Sequence, residues 1–285
     1  AYKDNIPEWV RLKEIGSGDF LISDGELISY SGNDKEVTVP EGVTGIGGNA
    51  FLNTKVEKVT LTSQVTEIGA YAFEKCKSLK EVDVEGANNL VTVGNYAFSE
   101  CTNLTGFDFG ENLTEIGEYA FYYCSVLSGN LILPEGLTRI GNSAFLECKN
   151  LTGELKLPES LVEIGTGAFF GCSGFTGNLT IPSRITEIPD NAFYSCYGFD
   201  GKLNIPKSVT RIGSSAFNYC RSLTGELKLP ENLESIGSEA FRGCTGFTGE
   251  LVIPDKITDI PYGTFSGLTG ITEITIGTGV NYIYA

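Results

Sequence analysis

The sequence predicts an α/β repeat solenoid with a parallel sheet, and three regularities support this prediction. Phenylalanine recurs every 24 residues over the second half of the chain, at Phe145, Phe169, Phe193, Phe217, Phe241 and Phe265. Each of the eight cysteines lies three residues after a phenylalanine of this series or of its earlier, less regular part. Each repeat also contains an alternating apolar segment that predicts a strand. Self-similarity at a fixed period of this length is typical of stacked coils that share one core.

The repeat is seen most clearly between Leu151 and Cys172, which read LTGELKLPESLVEIGTGAFFGC. Leu155 and Leu157 alternate with polar residues, which predicts a strand with one buried face. Pro158 ends this strand because proline lacks the N–H that a ladder needs. Leu161, Ile164 and Gly165 form a second inward-facing stretch with a turn, and helix-like spacing then predicts one helical or 3₁₀ turn at Ala168, Phe169 and Cys172.

Residues 1–35 do not fit the repeat, and we expect them to form an N-terminal cap. Two β-forming runs, Phe20 to Ile22 and Leu27 to Tyr30, flank the turn signal Asp24-Gly25, which predicts a β-hairpin. We expect Trp9 to be the buried anchor of the cap. A cap is needed because the end coil of a solenoid exposes an apolar face and a strand edge.

Residues 36–285 contain the repeats, about ten coils, and the last coil is incomplete. Val280 and Ile283 fall where the next leucine and isoleucine of the unit belong, and the sequence ends at Ala285 in the middle of that coil. We expect a fragment of a longer protein. The start at Ala1 and the absence of methionine indicate a mature or trimmed segment without its targeting peptide.

Composition and charge exclude several classes of partner. With 36 acidic against 20 basic residues the net charge is −16, which repels nucleic acid and anionic membranes. No run of eighteen apolar residues is present, so we expect no membrane insertion by this segment.

Residue types limit the available chemistry as well. The chain has no histidine and no CxxC motif, so a zinc site lacks ligands, and we expect no metal and no cofactor. The cysteines occupy one position of successive coils, which favours a small buried filler over a disulfide. An early group of acidic residues could attract calcium, but no loop motif fixes its geometry: Glu81, Asp83, Glu85, Asp108 and Glu111.

Phrases such as VTEIGAYAFEKCKSLKEVDV and LTRIGNSAFLECKNLTGELKLP resemble the BspA-like branch of leucine-rich repeats. The unit of that branch reads roughly IPxxVTxIGxxAFxxCxxL, and the resemblance covers Glu36 to Ile283. Val93 in place of isoleucine and Pro189 in place of glycine are local departures. The resemblance implies a right-handed leucine-rich-repeat solenoid. It also implies a surface or secreted bacterial protein, commonly of gut or oral bacteria, that adheres to host matrix proteins or other cells, and it supplies no catalytic residues.

Two surfaces are candidate binding sites. The first is the column one residue after each phenylalanine, where four consecutive coils carry large apolar side chains: Tyr122, Leu146, Phe170 and Tyr194. These side chains either pack neighbouring coils together or form an apolar strip that binds a partner. The second surface is the outward face of the main strands, which includes Lys156, Thr180, Asn204 and Lys228. A polar sheet face of this kind serves binding or is simply solvated.

Together with these residues, the resemblance implies a non-enzymatic binding or adhesion protein at the cell surface or secreted. Without histidine, and with no Asp or Glu that stands out from its column, no catalytic pair is visible. The expected partner is an extracellular or host-surface protein, and the chain itself is expected to be a monomer. Two alternatives stay open: glycan binding through the tyrosine and phenylalanine column, and a structural spacer within a larger surface protein.

Overall fold

The computed structural model describes residues 19–86 and 88–284, and within them every coil consists of strands and turns. Trp9, the predicted anchor of the cap, lies outside the described residues. In chain order the strands are β1 (Phe20–Ser23), β2 (Glu26–Tyr30), β3 (Glu36–Thr38), β4 (Gly45–Ile46), β5 (Lys58–Thr62), β6 (Glu67–Ile68), β7 (Glu81–Glu85), β8 (Thr92–Val93), β9 (Glu115–Ile116), β10 (Gly129–Asn130), β11 (Arg139–Ile140), β12 (Leu151–Glu154), β13 (Glu163–Ile164), β14 (Phe175–Thr176), β15 (Leu179–Thr180), β16 (Glu187–Ile188), β17 (Leu203–Asn204), β18 (Arg211–Ile212), β19 (Ser235–Ile236), β20 (Thr248–Ile253), β21 (Asp259–Ile260), β22 (Gly270–Ile276) and β23 (Tyr282–Ile283).

The most continuous ladder is formed by the shortest strands. Eleven of the two-residue strands mark eleven turns of the chain, close to the ten coils expected: β4, β6, β8, β9, β11, β13, β16, β18, β19, β21 and β23. The last residue of each is a buried apolar side chain, except in β23. Eight strands form one sheet in the order β1-β2-β4-β6-β8-β9-β11-β13, and the ladder continues in β16-β18-β19 and β21-β23. Ile116, Ile140 and Ile164 lie side by side in parallel register. The parallel-sheet solenoid predicted from the sequence is confirmed.

The longer strand predicted at GELKLP is interrupted. Leu155 is buried and Lys156 is exposed, so the predicted alternation is present. Strand β12 nevertheless ends at Glu154, and this side of the coil pairs only in short sheets: β3-β5-β7, β10-β12-β14, β15-β17 and β20-β22. Pro158 does not account for this interruption, because Pro254 occupies the same repeat position and β20 nevertheless extends to Ile253, directly before it.

The predicted helical or 3₁₀ turn is wrong, and the described residues contain no helix, so the α part of the predicted class is wrong for them as well. Alternate amides around Phe169 point in different directions: its own N–H donates to Ala192 O of the next coil at 2.9 Å, whereas Cys172 N–H donates back to Phe169 O at 3.1 Å. Gly167 and Gly171 have left-handed backbone, with φ of 62° and 72°. Left-handed residues between the local bonds prevent a continuous helix.

The core is a spine of phenylalanine rings. The ten rings stack from coil to coil with centroids 4.8 to 6.1 Å apart: Phe51, Phe73, Phe98, Phe121, Phe145, Phe169, Phe193, Phe217, Phe241 and Phe265. The cysteine column runs beside them, and all eight thiols are free and buried. The prediction that these cysteines fill the core is therefore confirmed.

The predicted hairpin is present. Strands β1 and β2 pair antiparallel around Asp24 and Gly25, whose φ angles are 51° and 83°. Strand β2 also pairs in parallel with β4, so the hairpin continues directly into the ladder of coils. The capping role of this segment and the domain boundary at residue 35 stay predictions.

Candidate binding surfaces

The turns around each spine phenylalanine form one side of the solenoid, which we call the turn edge. Its outer side chains belong to three positions: two residues before the phenylalanine, one residue after it and two residues after it. In all ten coils the residue two before and the residue two after the phenylalanine have left-handed backbone. Fifteen of the twenty residues there are not glycine, including Tyr71, Tyr96, Tyr119 and Tyr123. Because residues with a Cβ rarely adopt this backbone, the geometry comes from the repeating coil and not from local sequence.

The predicted apolar column is divided into two groups. Tyr122, Leu146, Phe170 and Tyr194 are all half-buried. Phe170 and Tyr194 stack with ring centroids 4.5 Å apart and planes 8° apart. Tyr122 instead contacts Tyr123 at 4.5 Å, with the rings steeply inclined. The column therefore both packs adjacent coils and exposes part of its rings.

A second column of tyrosines lies two residues before the phenylalanines, and the sequence reasoning missed it. Tyr71 stacks on Tyr96 at 4.9 Å, and Tyr96 stacks on Tyr119 at 4.7 Å. Tyr119 then contacts Tyr122 at 5.5 Å, which joins the two columns. We call the five side chains Tyr71, Tyr96, Tyr119, Tyr122 and Tyr123 the tyrosine row. Three consecutive tyrosines at one repeat position were the signal that could have revealed it.

A smaller aromatic group follows on later coils. Tyr194 contacts Tyr219 at 6.2 Å in an edge-on arrangement. The guanidinium of Arg221 lies over two rings, 5.7 Å from Tyr197 and 5.8 Å from Tyr219. Distances of this size are typical of cation–π contacts. Tyrosines on this side of the solenoid therefore already contact one cationic side chain of the chain itself, Arg221.

The tyrosine row lies in an acidic part of the sequence. Between Lys80 and Arg139 the chain has no Lys or Arg and nine acidic residues: Glu81, Asp83, Glu85, Glu100, Asp108, Glu111, Glu115, Glu118 and Glu135. Burial, and then the negative charge of neighbours that include Glu118, raise the pKa of Tyr96. Burial raises the pKa of Tyr122 as well, and Glu100 adds to that shift. Two carboxylates of this segment thus lie close to the rings.

The alternative surface, on the longer strands, is polar and exposed. Lys156, Thr180, Asn204 and Lys228 are all exposed there. Asn204 Nδ2 donates to Thr180 Oγ1 at 3.0 Å, and Lys228 pairs with Glu226 at 3.1 Å. An open groove of about 710 Å³ includes Asn204, Lys228 and Glu226 in its lining. Binding at this face stays a prediction.

The acidic group considered for calcium is partly neutralised. Lys58 Nζ lies 3.0 Å from Glu81 and 3.4 Å from Asp83, in the neighbouring strand. Across residues 19–86 and 88–284, no group of three or more carboxylate or thiol side chains is arranged to hold a metal ion. Nothing in this arrangement supports calcium binding at these residues.

A pocket of about 480 Å³ lies at the last coils, and its lining is mainly apolar, with Ile260, Phe265 and Ile274 among its residues. The only charged residue in that lining is Arg242. In the part of the chain that the structure describes, no helix is long and apolar enough to span a membrane.

The ladders, the phenylalanine spine and the turn edge define a protein of the leucine-rich-repeat class. The family model described as "BspA type Leucine rich repeat region (6 copies)" matches residues 27–152, 129–200 and 199–285, and the chain belongs to this family. The family resemblance inferred from the IG, AF and C motifs is confirmed. No curated protein matches this chain.

Solved structures share the fold. A leucine-rich repeat protein from Bacteroides ovatus aligns with a TM-score of 0.69 and 24% identity, over 98% of this chain and 78% of that one. A leucine-rich cell surface protein from Faecalibacterium prausnitzii aligns with a TM-score of 0.52 and 25% identity, over 92% and 94% of the two chains. A leucine-rich repeat protein from Eubacterium ventriosum aligns with a TM-score of 0.53 and 22% identity, over 93% and 79%.

Proposed function

We propose that this chain is a non-enzymatic binding protein, displayed on or released from a bacterial cell, that binds an extracellular protein through its turn edge. The observation that carries the proposal is the contrast between two sets of aromatic rings. The spine phenylalanines from Phe51 to Phe241 are fully buried, whereas Tyr123 on the turn edge and Tyr197, four residues after its phenylalanine, are 44% and 47% exposed. These exposed rings add little to the core, and exposed aromatic groups of this kind commonly serve recognition.

Rigid tyrosines suit protein recognition. A tyrosine has only two rotatable side-chain bonds, and its ring offers an apolar body with a polar tip. Stacking between Phe170 and Tyr194, and along the tyrosine row, already restricts the rings before any partner binds. Less conformational entropy is then lost on association, which raises affinity.

Membership of the family and the alignment with the Faecalibacterium prausnitzii cell surface protein support a surface or secreted location. A scaffold of stacked coils suits that role, because successive coils place equivalent side chains in columns along an extended surface. Right-handed winding, the cap at residues 1–35 and a monomeric state accompany the proposal as predictions. Light scattering of the purified chain tests the last of these: a mass near 30.6 kDa supports a monomer, and twice that mass contradicts it.

The test is a screen of the purified chain against immobilised matrix proteins, mucins and glycans. The variant Tyr122→Ser/Phe170→Ser/Tyr194→Ser is run beside it, and Lys156→Ser/Lys228→Ser is the matched control on the polar face. We expect a protein partner that binds the chain and the control but not the triple variant. A partner lost only with the lysine variant would move the site to the polar face, and no partner at all would favour a structural spacer.

A glycan is the second candidate partner. The groove that includes Asn204 and Lys228 favours it, since amide, hydroxyl and ammonium groups there offer several hydrogen bonds to sugar hydroxyls. Tyrosine rings on the turn edge could stack on sugars as well. A signal confined to the glycans of the screen would support this candidate and contradict a protein partner.

A further inference from the structure

We propose that the tyrosine row binds an arginine- or lysine-rich segment of the partner protein. The inference rests on the proposed function, because it takes the turn edge to be a binding surface, and it adds the chemistry of the partner. Its starting point is that these rings lie in an acidic stretch: Tyr96, Tyr119 and Tyr122 are half-buried and Tyr123 is exposed, and all four lie between Lys80 and Arg139, where the chain has nine acidic and no basic residues. A partner of opposite charge is attracted to such a surface.

The chain itself shows how a tyrosine of the turn edge holds a cation. Tyr219, two residues after its phenylalanine, has the guanidinium of Arg221 5.8 Å from its ring centroid. Tyr123 occupies the same repeat position, but the residue that corresponds to Arg221 there is Ser125. Lys149 on the next coil lies near Tyr123, yet its ammonium is paired with Glu147 at 2.7 Å. The ring of Tyr123, 44% exposed, is therefore open to a cation from outside the chain.

Carboxylates lie beside the rings and would complete the recognition of a basic side chain. The backbone N–H of Glu100 donates to Tyr122 O at 2.8 Å, which places these two residues on adjacent coils. Glu100 is 36% exposed and lies 4.0 Å from Lys75, at the limit of an ion pair. Glu118 accepts a hydrogen bond from Asn142 Nδ2 at 3.1 Å, so it keeps acceptor capacity for an incoming guanidinium.

Geometry separates the row into two kinds of contact. Tyr71, Tyr96 and Tyr119 stack nearly parallel, so their inner faces cover one another and they present ring edges and hydroxyls. Tyr123 is inclined by 62° to Tyr122, which leaves part of its face free. A basic segment along the row would place one cation on that face and donate hydrogen bonds to phenol and carboxylate oxygens.

The test uses two capped hexapeptides, Arg-Gly-Arg-Gly-Arg-Gly and its Gln-Gly counterpart, with binding to the whole chain measured by calorimetry. The row variant is Tyr119→Asn/Tyr123→Ser, because Asn191 and Ser195 occupy the same two positions in a later coil with similar φ angles of 57° and 57°. The charge variant is Glu100→Gln/Glu118→Gln. The matched control is Tyr219→Ser, at a position where Arg221 already lies over the ring. Circular dichroism checks that each variant is folded.

We expect the arginine peptide to bind and the glutamine peptide to bind at least fivefold more weakly. The row variant should lower the affinity about fivefold, since one cation–π contact corresponds to about twofold to fivefold. The charge variant should also weaken binding, because it removes two carboxylates that accept charge-assisted hydrogen bonds. The control should not change it. Raising the salt concentration from about 50 to about 300 mM should weaken binding severalfold. Equal binding of the two peptides, or unchanged binding to both folded variants, overturns the inference.

The screen against matrix proteins, mucins and glycans keeps this inference distinguishable from the proposed function. If the arginine peptide does not bind but the screen finds a neutral protein that the Tyr122→Ser/Phe170→Ser/Tyr194→Ser variant loses, the inference fails and the proposed function stands. If neither the peptide nor the screen shows binding by the folded chain, both fail. A glycan signal that depends on the row overturns the basic partner as well.

Discussion

The Sγ atom of Cys172 lies 3.0 Å from the carbonyl oxygen of Phe145 in the preceding coil and donates a hydrogen bond to it. The same contact recurs for all eight cysteines, at 2.9 to 3.1 Å. Each phenylalanine carbonyl also accepts a backbone N–H within its own coil, as Phe145 does from Cys148 at 3.1 Å. Cysteine suits this position because it combines an apolar, polarisable side chain with a weak donor.

Replacing Cys172 by alanine should destabilise the fold by about 1–2 kcal/mol, because the change removes buried apolar volume and a hydrogen bond between coils. Chemical denaturation of the two proteins measures the difference. Lys156→Ala, at an exposed position, should change the free energy of unfolding by less than about 0.5 kcal/mol. Equal stability of Cys172→Ala and the unsubstituted chain would show that the contact contributes nothing.

The thiols should be inert in the folded protein. Burial raises the pKa of Cys244 to about 12 and raises the pKa of Cys172 well above its ordinary value, so the reactive thiolate is scarce near neutral pH. With Ellman's reagent at about pH 8, we expect almost no reaction until concentrated guanidinium chloride is added. All eight thiols should then react. Fast reaction of the native chain would contradict the burial of the column.

Left-handed backbone at the turn edge gives a test with opposite outcomes at two serines. Ser195 has a φ of 57°, so Ser195→Gly should stabilise the fold by about 0.5–1 kcal/mol by removing the cost of a Cβ in that region. Ser173 lies in the preceding coil, four residues after Phe169, and does not have a left-handed φ. Ser173→Gly should therefore lower the free energy of unfolding by a similar amount. Thermal melts of both variants decide the question. If both glycine variants are less stable than the unsubstituted chain, the left-handed backbone at Ser195 carries no strain.

How far the sequence predicts this fold depends on which feature is considered. The spacing of Phe145 and Phe169 reveals the period, and burial at each repeat position follows from its apolar side chains. The turns were predicted as helical because the side chains at Ala168, Phe169 and Cys172 have helical spacing. The backbone hydrogen bonds instead alternate between partners in the same coil and partners in the next coil. Positive φ is imposed by the stacked coils on residues such as Tyr96 and Glu147, and neither residue type indicates it.

The candidate site was predicted in part. Reading the column one residue after each phenylalanine found Phe170 and Tyr194, which do stack on each other. It found Tyr122 but not its neighbours Tyr96 and Tyr119, because the sequence does not show that positions two before and one after the phenylalanine share one edge. That proximity results from the tight turns of each coil, and only coordinates reveal it.

Stability should fall with acid partly through Glu57. Its carboxylate lies between Lys35 and Lys80, at 2.7 and 2.6 Å, and hydrogen bonds from these two ammonium groups lower its pKa to about 2. Since an unfolded glutamate titrates near 4.3, this contribution is present above about pH 4.3 and is lost as the pH falls towards about 2. Stability measured against pH should be flatter for Glu57→Gln across that range. A Glu57 titration midpoint near its ordinary value would contradict the ion pair.

The central claim is that the turn edge binds a partner. Its most direct measurement is the dissociation constant of the protein found in the screen, determined for the unsubstituted chain and for the folded Tyr122→Ser/Phe170→Ser/Tyr194→Ser variant. The loss of three aromatic side chains from the edge should weaken binding at least about tenfold, since tyrosine is enriched among the few interface residues whose truncation costs more than about 1 kcal/mol. An unchanged dissociation constant would place the site elsewhere and contradict the claim.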